Sequence, residues 1–201
     1  MKFSKKEAVE LLIAWIVLSL CFSLHLIFRA MPFTLLPVIV LIYFISVGLS
    51  FVVHELTHRY VAIRYGYLAF FHLWPQGVLL ALLVSLISGG TIIFAALGAV
   101  YIIPLVHRDF SSSLRAEGVI ALSGPLSNLV LSLALLPFAS FTGILGIIAR
   151  IGVSVNIWLA AFNSIPIPPL DGSKVFQWNK AAALLLLIAS WSLVLLRGVM
   201  L

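Results

Sequence analysis

The chain has 201 residues, of which 63% are hydrophobic and only 9% charged, and Lys and Arg outnumber Asp and Glu by 12 to 6. Soluble domains carry roughly a quarter charged residues, so this balance excludes a soluble enzyme or binding module and points to an integral membrane protein. The net charge of +6 requires no nucleic-acid partner, because Lys and Arg collect in the cytoplasmic loops of a chain with little else to balance them.

Lys2, Lys5 and Lys6 precede an apolar run over residues 11–28. The run resembles a signal peptide but is longer than a signal core and lacks a small-x-small cleavage site, so it reads as a retained membrane helix with its amino end in the cytoplasm. His25, near its far end, suits the membrane interface. The lone Cys21 has no internal disulfide partner and reads as packing.

A short outer turn with Pro32 and Pro37 leads into a second helix predicted over 35–64, closed at the cytoplasmic edge by Arg59 and Arg64. Residues 35–53 carry no charged side chain and run directly into His54-Glu55-Leu56-Thr57-His58. Residues four apart share a helix face, so His54 and His58 can present their imidazoles to one tetrahedral Zn²⁺. Glu55 beside them suits a base that takes a proton from an attacking water. A five-residue pattern also arises by chance, but ionisable groups at membrane depth cost about 2.5–3.5 kcal/mol each and are retained mainly for function. At about 1.5 Å rise per residue, His54 precedes the arginines by roughly 8–15 Å, which places the metal beneath the cytoplasmic membrane surface.

Residues 66–75 read as a turn with Tyr67, Phe70, Phe71 and Trp74 at headgroup level. An apolar block over 78–104 follows, split by Ser88-Gly89-Gly90 into halves too short to span, which suggests a thin helical hairpin or a re-entrant segment. Tyr101, Ile102 and Ile103 have strand preferences and leave room for an extended piece. The block should return to its own side, because Arg108 and Arg115 mark a cytoplasmic loop over 107–117.

A helix over 118–138 carries Ser123-Gly124-Pro125-Leu126-Ser127-Asn128, whose small residues permit close helix contact. Asn128 needs a hydrogen-bond partner there, in either a structural or a catalytic role. After an outer turn over 140–146, a helix over 147–165 returns with Arg150, Asn156 and Asn163, and ends at Pro166, Pro168 and Pro169. Asp171 and Lys174 follow, and a last helix is predicted over 181–201. This orientation puts nine basic residues inside and three (Arg29, Arg150, Arg197) outside. The expected fold is all-α, a polytopic transmembrane bundle of about six membrane segments forming one domain over 1–201.

A catalytic zinc site uses three protein ligands and keeps a position for water. Cys21, His25, His72, His107, Asp109, Glu117 and Asp171 are the candidates for the third. Asp171 stands out, because the proline-broken backbone before it can turn a short carboxylate into the bundle, although Asp171-Gly172 also reads as an ordinary turn. The reading requires block 78–104 to return to its own side; as a single crossing it would leave Asp171 across the membrane from His58.

These residues resemble the intramembrane site-2 protease family of zinc metalloproteases, whose members share an H-E-x-x-H helix and a later N-x-x-P-x-x-P-x-D-G segment. The chain reads His54-Glu55-Leu56-Thr57-His58 and Asn163-Ser164-Ile165-Pro166-Ile167-Pro168-Pro169-Leu170-Asp171-Gly172, and Gly124-Pro125 with Asn128 looks like the family's third helix. The resemblance implies one Zn²⁺ held by His54, His58 and Asp171, water activation by Glu55, and a role for Asn163 at the tetrahedral oxyanion. It also implies a transmembrane-helix substrate cut within or near the bilayer, with an extended strand near the metal capturing the unwound segment.

No inserted PDZ domain and no appended regulatory module is evident, and the long 78–104 block replaces a shorter loop, which resembles a compact prokaryotic, archaeal-type branch. The block suits a gate, a docking element or lipid-facing packing. Two alternatives remain open at this stage. A catalytically inactive homologue that binds membrane helices would have no need of Glu55. An ion transporter would spread its polar groups through the membrane's depth rather than gather them near one face.

Overall fold

The computed structural model describes residues 3–28, 32, 34–105 and 109–200, without the side chains of residues 25, 27, 110 and 197–200. Seven helices and a two-stranded sheet follow in the order α1 (Lys5–Phe28), α2 (Leu36–Arg64), β1 (Tyr67–Leu73), α3 (Pro75–Ile87), β2 (Gly98–Pro104), α4 (Phe110–Leu135), α5 (Gly143–Asn163), α6 (Asp171–Trp178) and α7 (Lys180–Met200). A 3-10 turn over Leu136–Ser140 continues α4. The fold is thus the expected helical bundle. Helices α1, α2, α4 and α5 are long and apolar enough to cross a membrane, and α3 and α7 contribute shorter apolar helices over the described residues.

Helix α2 shows why an apolar chain folds with its polar groups inward. Leu41, Ile45 and Leu49 are exposed, whereas Ile42, Ser46, Ser50, His54 and His58, one turn apart along another face, are buried. Lipid accepts the leucines as readily as a protein core would, so the buried stripe is free to carry chemistry. Helix α1 packs closely on α2 at Gly48, where a Cβ would lie 2.0 Å from the Trp15 ring. The Trp15 indole also stacks on Phe44 and donates to its carbonyl oxygen at 2.7 Å.

One expectation is corrected here: residues 67–73 form a strand rather than an aromatic turn. Of the forms open to block 78–104 the helical hairpin is not the one adopted, since only the first half is helical and the second is irregular before β2, which contains the extended piece expected at residues 101–103. Strands β1 and β2 pair antiparallel, Tyr67 opposite Pro104 through Leu73 opposite Gly98. The chain leaves and returns at one end of the bundle, as the shared site requires. The predicted helix over 118–138 also begins earlier, at Phe110, where Asp109 caps it by accepting from the Ser112 amide. Hydrogen bonds from Ser111 and Ser112 hold the Asp109 carboxyl well below the usual carboxylate range.

Among the described residues, the sheet has one closed and one open edge. Trp74 N donates to Leu97 O at 2.8 Å and Leu105 N to Gly66 O at 3.1 Å, so the alternation of the antiparallel ladder commits Ala99, Tyr101 and Ile103 to β1. The N–H and C=O groups of Gly98, Val100 and Ile102 therefore point away from it. On the far edge of β1, the alternate residues Phe71 and Leu73 donate their amides to Glu7 Oε1 at 3.1 Å and Glu10 Oε2 at 3.0 Å. Two carboxylates on one face of α1 stand where a neighbouring strand would be.

Glu7 also pairs with Arg59. Arg59 was expected at the membrane edge but is buried, its guanidinium 3.8 Å from the centre of the Phe3 ring. Only a carboxylate delivered from α1 makes that burial tolerable.

Candidate metal centre

Helix α2 sets His54 and His58 one turn apart with their Nε2 atoms 3.0 Å from each other. Asp171, 113 residues beyond His58, reaches the same point, its Oδ2 lying 3.2 Å from His54 Nε2 and 3.0 Å from His58 Nε2. Among the described residues these three form the group able to hold a metal ion. Asp171 arrives as the first residue of α6 rather than from irregular backbone. Gly172 lets the start of that helix sit against the preceding loop, since a Cβ there would lie 2.2 Å from Ser164 O.

The acceptors at the outer nitrogens select the tautomer of each neutral ring. His54 Nδ1 donates to Asn128 Oδ1 at 2.6 Å and His58 Nδ1 donates to the Ile120 carbonyl at 2.7 Å. Each neutral imidazole then keeps its lone pair on Nε2. In that tautomer two nitrogen lone pairs and a carboxylate oxygen converge, an arrangement that a cation satisfies. Four ligands at about 2.0–2.1 Å around tetrahedral zinc are separated by about 3.3 Å, close to the spacing seen here. The residues fit one Zn²⁺ per chain.

Asn128 is itself held from behind. Its Nδ2 donates to Ser50 O at 3.1 Å and Asn156 Oδ1 at 2.8 Å, and Asn156 Nδ2 donates to Ser50 Oγ and Gly152 O, each at 2.8 Å. Both asparagines are buried, so every one of these bonds replaces water that cannot enter. The sequence left Asn128 between two roles and gave Asn156 none. Their one available signal was the presence of a carboxamide within each apolar span.

Glu55 lines a cavity of about 250 Å³ together with both histidines, Asp171, Asn163, Lys174 and residues 98–102 of β2. Glu55 is buried, and its Oε2 has no hydrogen-bond partner among the described residues. Asn163 Nδ2 donates to Leu159 O at 3.0 Å, which leaves its second amide hydrogen for the cavity. Gly124 was noted in the sequence for helix contact and proves to make room for the rings.

The other candidate ligands lie elsewhere. Cys21 is buried in the packing of α1, His72 Nδ1 is 2.9 Å from Glu10 Oε2, Asp109 caps α4, and Glu117 lines the cavity outside the cluster. The side chain of His25, and His107 with Arg108, fall outside the described residues.

Two relatives carry names that bear on this geometry. "Putative zinc metalloprotease MJ0611" of Methanocaldococcus jannaschii is 38% identical over 181 residues, covering 89% of this chain and 87% of that protein. "Putative zinc metalloprotease YwhC" of Bacillus subtilis is 30% identical over 169 residues, covering 73% of this chain and 70% of that one. No family model and no solved structure matches the chain.

Proposed function

Because the chain belongs to the zinc metalloprotease family of these two relatives, we propose that it is an intramembrane endopeptidase of the site-2 type. It hydrolyses peptide bonds within or near the transmembrane helices of membrane-protein substrates. One observation carries this reading: three converging ligand atoms share a cavity with an unpartnered carboxylate and an open strand, inside a bundle of membrane-length helices. The excess of basic residues on the loops at this end supports a cytoplasmic position for the site and the amino terminus in the cell membrane.

His54, His58 and Asp171 would hold the zinc, which would supply a Lewis acid for activating water and polarising the substrate carbonyl. Glu55 takes the proton from the attacking oxygen as the bond to the carbonyl carbon forms, and delivers it to the amide nitrogen as the C–N bond breaks. The free hydrogen of Asn163 Nδ2 meets the carbonyl oxygen as charge develops on it.

Before attack, a substrate helix must unwind and find new partners for its backbone groups. The outward N–H and C=O groups of Gly98, Val100 and Ile102 supply them by adding the segment as a further strand. Glu7 and Glu10 leave that edge as the open one.

The test is a comparison of wild type with Glu55→Gln on a transmembrane-helix substrate in detergent or liposomes. We expect one zinc per chain in both proteins and cleavage by wild type alone. Equal cleavage by both would end this reading, and wild type that binds zinc and the substrate helix without cutting it would favour the inactive homologue.

A further inference from the structure

Lys174 has no part in the mechanism above, yet it lines the same cavity as Glu55 and the three ligands. It lies on α6 three residues beyond Asp171, about 4.5 Å farther along the helix axis, and lysine side chains on a helix lean toward its amino end. The ammonium is thereby directed back toward the metal end of α6. It is half-buried, and among the described residues it makes no hydrogen bond and no ion pair. A half-buried ammonium that no carboxylate touches is open to direct pairing with an arriving anion.

Among the described residues, no other charged or titratable group on this cavity pairs directly with that ammonium. Glu55 lies within electrostatic reach of Lys174, but among the described residues the two make no ion pair and no hydrogen bond, whereas a lysine placed on the reacting oxygen would also sit against the Glu55 carboxylate. Lys174 therefore stands off the reacting atoms. Glu117 faces the cavity from α4 but is exposed, where water screens it, and His72 is taken by Glu10. The remaining walls are largely apolar, with Ala95, Ala96, Val100 and Leu159 among them. An extended peptide fits about 250 Å³ of such space, whereas a lipid phosphate would have to draw its acyl chains in behind it.

We infer that Lys174 is a specificity-determining residue, which selects substrates carrying an Asp or Glu carboxylate within a residue or two of the scissile bond. The inference rests on the proteolytic reading for its meaning but not for its test, since binding is measurable without turnover.

Single-span Leu/Ala peptides with a central Gly-Ser interruption, each bearing one Asp or its isostere Asn at stepped positions, are titrated against the full chain carrying Glu55→Gln. At one position the Asp peptide should bind about tenfold more tightly than the Asn peptide, the size of one charge-assisted hydrogen bond. Adding Lys174→Met should bring that ratio to about one, Lys174→Arg should restore it, and Lys174→Glu should invert it in favour of a Lys peptide, with zinc content equal throughout. In wild type the same Asp peptide should show the higher kcat/KM. Equal binding of Asp and Asn peptides at every position, or a preference that survives Lys174→Met, overturns the inference. A preference that behaves as expected in binding, in a wild type that cleaves no peptide, sustains Lys174 as a selector and removes the protease assignment instead.

Discussion

Gly124 and His58 are in contact so close that no side chain fits between them: a Cβ on Gly124 would lie 2.3 Å from His58 Nε2 and 2.8 Å from His54 Cε1. Helix α4 therefore reaches the two imidazoles with bare backbone. Gly124→Ala should weaken zinc binding at least about tenfold and reduce cleavage in proportion, read by metal analysis after dialysis against a graded chelator. Alanine favours a helix over glycine by about 0.8–1 kcal/mol, so the helical circular dichroism should hold while the metal is lost. Full zinc occupancy at every chelator concentration would show that the rings can give way.

Asn128 fixes the orientation and tautomer of His54. Asn128→Ala removes the acceptor of the Nδ1 proton and should lower zinc affinity by about 10–100-fold. It also leaves Asn156 Oδ1 without its donor in a buried site, so unfolding temperature should fall even for metal-free protein. Asn128→Asp keeps the acceptor for His54 and should recover part of the zinc affinity. Matching affinities for the Ala and Asp variants would argue that His54 is held by packing alone.

The ladder alternation separates two neighbouring residues of β2. Ile102→Pro removes an N–H from the open edge and should cut kcat/KM for a helical substrate by about tenfold or more, with zinc content and thermal stability close to wild type. Tyr101→Pro removes an N–H bonded to β1 and should destabilise the sheet itself. If both variants lost stability and activity alike, the edge would have no separate role in capturing substrate.

The Glu7–Arg59 pair joins α1 to the helix that carries both histidines. Replacing one member of a buried ion pair costs about 3–5 kcal/mol, because the other charge is left without a partner. Glu7→Gln should therefore lower the unfolding temperature clearly, and Phe71 N would keep only a weaker amide acceptor. Restoring the pair in reverse, Glu7→Arg with Arg59→Glu, should not rescue the strand, because Arg cannot accept from Phe71 N. Complete rescue by that double variant would reduce Glu7 to a simple counter-charge.

By itself, the sequence determined the apolar medium, the long helices and the three residues that could hold a metal. Apolar length alone marks α1, α2, α4 and α5 as membrane helices, because lipid requires each span to satisfy its backbone internally. His54, Glu55 and His58 were legible because one helical turn carries their whole relationship, and Asp171 because prolines set it apart from the helix before it. Lys174 was visible only as a charge beside a turn.

What only the tertiary structure decided are the relationships between distant segments. The partner of β1 begins 25 residues after its end, beyond a helix, so local preference read its aromatic residues as a turn. Arg59 looked like an edge residue until α1 brought Glu7 to it, and Asn128, Asn156 and Ser50 became one hydrogen-bonded support only when three helices met. A burial or a contact of this kind depends on which faces of separate helices turn toward each other. Packing sets those faces, and the spacing of residues along a single helix leaves them open.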